Sequence, residues 1–94
     1  MNKSEIYKKI YKFLKNQGAR KIAVFGSYVR EEETPQSDID IIVEFTERKS
    51  LLEIVGIEQE LSEKLGMKVD LLTEKSISPY LIDQIKKEMV EVSG

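Results

Sequence analysis

The chain has 94 residues and a mass of 10.9 kDa, enough for one hydrophobic core and too little for two, so a single domain spanning residues 1–94 is expected. Hydrophobic residues make up 40% and charged residues 34%, a balance too apolar for disorder and more charged than the roughly 25% of an average globular protein. There is no cysteine and no histidine, which excludes disulfides, thiolate and imidazole metal sites, cysteine nucleophiles and imidazole bases. Any catalysis must therefore rest on carboxylates, hydroxyls, Lys, Arg, backbone amides or a borrowed metal ion.

The formal charge of −2 is too small for a molecule held to nucleic acid by counterion release, so no direct nucleic-acid partner is expected. The charge is unevenly spread: residues 1–21 carry a net +6 and the remainder −8. A solvated helix face accounts for the basic segment first, and attraction for a phosphate-bearing ligand or an acidic partner second. No apolar run resembles a signal peptide or approaches the ~18 residues of a membrane span. A cytoplasmic location without membrane contact is expected.

In chain order, Ile6, Ile10, Phe13 and Leu14 recur at helical spacing, with Asn2 and Glu5 placed as a capping box and Gly18 as a left-handed stop; a helix over about residues 4–16 follows. Residues 21–25, Lys-Ile-Ala-Val-Phe, form a short apolar run ended by Gly26-Ser27 and read as a buried strand. The polar stretch 31–37, with Pro35 and Ser37, favours a turn. Residues 39–45 are a second strand, apolar at nearly every position. Ser50 and Glu53 make a further capping-box pattern, Leu51, Leu52, Ile54, Val55, Leu61 and Leu65 fill one broad apolar stripe, and Gly66 stands where that helix should end. Residues 67–72 give a third strand, and Ser78-Pro79 opens a last helix whose apolar face is Leu81, Ile82, Ile85 and Met89. Strands alternating with helices indicate an α/β layer of about three strands covered by helices. So thin a layer leaves room for an apolar helix face that meets a partner or a second copy.

The chemistry concentrates in three places. Asp38 and Asp40 stand two apart on a strand, so both carboxylates project from one face. Carboxylates this close repel, and protonation of one or capture of a cation relieves the repulsion. Magnesium, with its hard oxygen ligands and affinity for substrate phosphates, suits such a pair. Gly26 lets backbone amides approach a phosphate that a Cβ would obstruct, and Ser27 can add a hydroxyl donor; read alone, Gly-Ser is also an ordinary strand terminator. Asp70 sits among Val69, Leu71 and Leu72, where an unpaired carboxylate is costly. It is either a salt-bridged or edge charge or, if its strand neighbours the second one, a third acidic ligand of a two-metal site.

Gly26-Ser27, then ten residues, then Asp38-Ile39-Asp40, with a later strand aspartate, resembles the signature of the DNA polymerase β-like nucleotidyltransferase superfamily. Those four fixed positions would match by chance in a chain of this length about once in a thousand, which sets accidental aspartates aside. The longer segment Gly26-Ser27-Tyr28-Val29-Arg30 through Ser37-Asp38-Ile39-Asp40-Ile41-Ile42-Val43 is more specifically similar to the minimal nucleotidyltransferases, or MNT proteins, and the likeness extends over nearly the whole chain. The resemblance implies a small nucleotidyltransferase fold with a mixed sheet. It further implies two Mg²⁺ ions held by Asp38, Asp40 and Asp70, ATP as substrate, Gly26 and Ser27 on the β- and γ-phosphates, and Asp70 as acceptor of the hydroxyl proton. Arg30 is a secondary nucleotide contact, with an exposed ion pair as its alternative. Glu31 departs from the family, which commonly has glycine there. Glutamate tolerates positive φ poorly, so an altered turn and a charge adverse to the triphosphate are expected.

MNT proteins are typically encoded beside a HEPN-domain ribonuclease. The resemblance thus implies an antitoxin that transfers AMP from ATP to a tyrosine of that toxin and associates with it. The alternatives are a non-catalytic antitoxin acting by stoichiometric contact and a nucleotidyltransferase for small molecules. The latter fits poorly with a chain that leaves little material for a second pocket. Tyr7, Tyr11, Tyr28 and Tyr80 are candidate base platforms or self-modification sites, although Tyr7 and Tyr11 have the spacing of ordinary helix packing.

Overall fold

The computed structural model describes residues 2–34 and 36–92. Among them the elements are α1 (Lys3–Asn16), β1 (Ala19–Phe25), β2 (Ile39–Phe45), α2 (Leu51–Leu65), β3 (Val69–Leu72), α3 (Pro79–Glu88) and β4 (Val90–Glu91), with short 3₁₀ turns at Gly26–Tyr28 and Glu74–Ser76. The sheet is mixed and has four strands, in the order β3-β2-β1-β4, where the sequence suggests three. β4 is the addition. The last helix stops at Glu88, Met89 turns to extended backbone, and Val90 and Glu91 pair antiparallel with Val24 and Ala23 of β1.

Local signals set most of the boundaries. The Asn2 side chain accepts from the Glu5 amide at 2.9 Å and starts α1, while Gly18, at φ 91°, follows its end. In α2 both halves of the Ser50/Glu53 capping box form, and Gly66 closes the helix in the left-handed conformation. Ser78 caps α3 ahead of Pro79 at the first turn. β1 begins two residues earlier than the apolar run, at Ala19, through a bulge that leaves Arg20 exposed and paired with Glu44. β3 begins two residues later than expected, at Val69. Pro35 lies outside the described residues; beside it, Ser37 Oγ accepts from the Thr34 amide at 2.8 Å.

β2 reads as a continuous apolar run because both of its faces are covered. Ile39, Ile41 and Val43, with Ile22 and Val24 of β1 and Val69 and Leu71 of β3, pack against Ile6, Ile10 and Leu14 of α1 and Ile57, Leu61 and Leu65 of α2. The opposite face carries a smaller cluster: Ala23, Phe25 and Ile42 beneath Ile77, Ile82, Ile85 and Met89. Two expected stripes are narrower than their sequences suggest. On α2, Leu51, Leu52 and Val55 are exposed, because the buried line runs through residues 54, 57, 61 and 65. At about 100° per residue, Leu52 lies on the far side of the helix from Leu61. On α3, Leu81 is likewise exposed.

Candidate active site

The alternation that sends Ile39, Ile41 and Val43 toward α1 and α2 sends Asp40 to the other face, the one shared with α3. β3 runs parallel to β2 and places Asp70 directly beside Asp40. The third strand therefore neighbours the second and brings Asp70 beside Asp40, but not beside Asp38. Burial is the largest reason that the Asp40 carboxyl is pushed up to about 6 from its ordinary 3.8, and the negative charges of Asp70 and Asp38 and a hydrogen bond with Asp70 add to it, while Arg30 opposes it. Asp38, immediately before β2, has its Oδ2 3.7 Å from Lys68 Nζ.

Gly26 follows β1, whose Phe25 pairs with Asp40. At φ 81° it occupies backbone space that suits glycine, and a Cβ there would collide with the Asp40 carboxylate. Gly26 is thus required by the aspartate it faces as well as by the turn. Its own amide donates to Glu88 Oε1 at 3.2 Å, and Ser27 beside it is half-buried. Arg30 donates from Nε to Glu32 at 2.8 Å and from Nη1 to both Glu88 oxygens at 3.1 and 3.2 Å. The ion pair expected as its alternative role is present, and its field also reaches Asp40.

Glu31 adopts φ 59°. This is the left-handed conformation that favours glycine, so a glutamate there raises the conformational cost of the turn. Of the four tyrosines, Tyr28 is buried with its hydroxyl donating to Met67 Sδ at 3.5 Å. Tyr7 and Tyr11 pack against the core, and Tyr80 is exposed.

The residues fit a hard divalent cation on the chemistry of their donors. Asp40 and Asp70 face one another with no Lys or Arg ion pair on either among the described residues, and the unrelieved repulsion is what a cation would remove. In the present side-chain arrangement no group of three or more acidic side chains among the described residues closes into a metal cage. To join Asp40 and Asp70 on one ion, Asp38 must turn from Lys68. The residue that sequence reasoning missed is Glu88. Its signal was an acid in the last turn of a helix, where the helix dipole favours a base.

A twisted mixed sheet with paired strand aspartates beside a Gly-Ser turn is the framework of a nucleotidyltransferase, and the family model of the nucleotidyltransferase domain matches residues 5–92. The chain belongs to that family. It is 50% identical over 92 residues to a Methanocaldococcus jannaschii protein provisionally named a protein adenylyltransferase, covering 98% of this chain and 99% of that one. Among solved structures, a toxin–antitoxin with AMP-PNP superposes with a TM-score of 0.84 at 29% identity, over 94% of this chain and 73% of that one. The complex of a tri-AMPylated Shewanella oneidensis HEPN toxin with MNT antitoxin gives a TM-score of 0.78 at 27% identity, over 97% of this chain and 71% of that one.

Proposed function

We propose that the chain is the antitoxin of a HEPN/MNT pair. As a single cytoplasmic domain it transfers AMP from ATP to a tyrosine hydroxyl of a partner HEPN ribonuclease and so neutralises it. The observation that carries this reading is the side-by-side placement of Asp40 and Asp70 on parallel strands, against Gly26, with no Lys or Arg ion pair on either among the described residues. The likeness to a toxin–antitoxin with AMP-PNP and to a complex containing an AMPylated HEPN toxin supports the nucleotide and the acceptor.

Asp38, Asp40 and Asp70 would hold two Mg²⁺ ions, which when bound supply positive charge against the triphosphate and the developing negative charge of the transition state. The chain's own groups do the rest. Gly26 keeps the turn close to Asp40, and the Ser27 hydroxyl donates to a phosphate oxygen of the β–γ portion. The acceptor hydroxyl oxygen forms a bond to the α-phosphorus as the bond to the bridging oxygen of pyrophosphate breaks. The hydroxyl proton passes to Asp70, and pyrophosphate leaves. The acceptor is brought by the partner protein, a reading supported by the likeness to a complex containing an AMPylated HEPN toxin.

Inhibition by contact alone is a second reading, favoured by the exposed Leu51 and Leu52 at 77% and 84% of their full area. The two are separated by mixing α-labelled ATP, Mg²⁺ and the HEPN-type protein encoded beside this chain with either the native chain or Asp38→Asn. Label on a toxin tyrosine that disappears with Asp38→Asn is expected. Equal neutralisation by a folded Asp38→Asn variant, or inhibition that needs neither ATP nor Mg²⁺, would contradict transfer.

A further inference from the structure

Glu88 is the last residue of α3, the end of a helix at which a negative charge is disfavoured. Lys86 and Lys87 obey that rule and Glu88 does not. What holds it there comes from the opposite end of the chain. Its Oε1 accepts from the Gly26 amide at 3.2 Å, 62 residues away in sequence, and its two oxygens take Arg30 Nη1 at 3.1 and 3.2 Å. One carboxylate therefore joins three parts of the molecule: the C-terminal helix, the turn after β1, and a guanidinium whose field acts on Asp40.

The consequences for the site are geometric. The Gly26 amide is held by Glu88, and the Asp40 carboxylate lies so close to its Cα that no Cβ would fit between them. A peptide held this way cannot rotate without breaking a charge-assisted hydrogen bond, so the Ser27 that follows keeps a constant position relative to the aspartates. Arg30 is tethered by Nε and Nη1 to two glutamates, while Nη2 has no partner among the described residues. Those N–H groups are available to an anion, and the tether fixes where they point.

We propose that Glu88 is a positioning residue of the nucleotidyl-transfer site, building the phosphate-binding turn from the C-terminal end of the chain by holding the Gly26 amide and the Arg30 guanidinium. This rests on the function proposed above. The opposing possibility is that the carboxylate merely occupies the place of a phosphate and is displaced when nucleotide binds. The two predict opposite signs.

The test uses the full chain with Glu88→Gln, Glu88→Asp and Glu88→Ala, and three measurements: hydrogen exchange at the Gly26 amide by NMR, binding of AMP-PNP with Mg²⁺, and binding of Mn²⁺ without nucleotide. Positioning predicts that Glu88→Ala accelerates Gly26 exchange and weakens AMP-PNP by about tenfold, the size of one lost charge-assisted hydrogen bond. Glu88→Gln, which still offers an oxygen to Gly26, recovers part of both, Glu88→Asp falls short by one methylene, and Mn²⁺ affinity changes by less than AMP-PNP affinity throughout. AMP-PNP binding that is equal or tighter in a folded Glu88→Ala or Glu88→Gln variant would overturn the proposal, as would Gly26 exchange insensitive to all three. Should Glu88→Ala fail to fold, Glu88→Gln decides by the same criteria. A native chain that binds no AMP-PNP would instead remove the nucleotide reading, while Gly26 exchange would still report whether Glu88 holds the turn.

Discussion

On the face of the sheet that meets α1 and α2, β2 contributes Ile39, Ile41 and Val43, which are almost wholly buried. One residue along, on the face that meets α3, the same strand contributes Asp40 and Ile42. The first face packs two helices over a broad layer of aliphatic side chains; the second has one ten-residue helix with no fully buried side chain of its own. A period of two in a single strand thus separates a region built for stability from one that carries charge into a half-open space. The difference teaches how so small a chain combines both. The packed face supplies the rigidity against which Asp40 and Asp70 are held, and the open face leaves room for a ligand.

The comparison breaks first on the packed face. Leu61 is fully buried in α2, and Leu61→Ala should destabilise the fold by about 3 kcal/mol, as cavity-forming substitutions of this kind do. Urea unfolding checks the loss, and turnover per folded molecule should be unaffected. A variant of unchanged stability would mean that this face does not carry the fold. A smaller effect is expected at the rim of the open face. Glu31 holds φ 59°, so Glu31→Gly should stabilise by about 1 kcal/mol, net of the entropy glycine adds to the unfolded chain. Scanning calorimetry should show a melting temperature higher by about 4–8 °C for a domain of this size. An unchanged or lower value would show that the left-handed turn carries no strain.

How much of this was legible in the sequence follows the strength of each local signal. β2 matches its expected bounds because five apolar residues in seven leave few other conformations, and α2 is bounded by Ser50, Glu53 and Gly66, which act locally. β4 was not legible. Two residues, Val90 and Glu91, carry no periodicity, and only the edge of β1 gives them a strand conformation. Leu51, Leu52 and Val55 were over-assigned to the core because composition alone does not say which arc of a leucine-rich helix faces inward. Within the site, Asp70 was legible from the cost of a charge among Val69, Leu71 and Leu72, but its position beside Asp40 depends on parallel pairing across a 15-residue helix. Glu88 and Lys68 act through contacts that only the folded chain creates.

The α3 face holds its aspartates at an energetic disadvantage that a divalent cation relieves. Asp40 has a folded pKa of about 6, above its ordinary 3.8. The folded state therefore binds its proton more tightly than the unfolded chain does, and in metal-free buffer stability should fall as pH rises through that window and be lowest above it. Glu33 and Glu53, whose pKa values are lowered by Lys3 and by Ser50, act in the opposite direction only below about pH 4.5, their ordinary range. The most direct test is Asp40→Asn, with its melting temperature read without metal at pH 7 and AMP transfer to the partner toxin read with Mg²⁺. The account predicts a higher melting temperature than the native chain, no dependence on pH between about 4.5 and 6.5 from this position, and transfer reduced by about a thousandfold or more. A variant that melts lower than the native chain and still transfers AMP would contradict it.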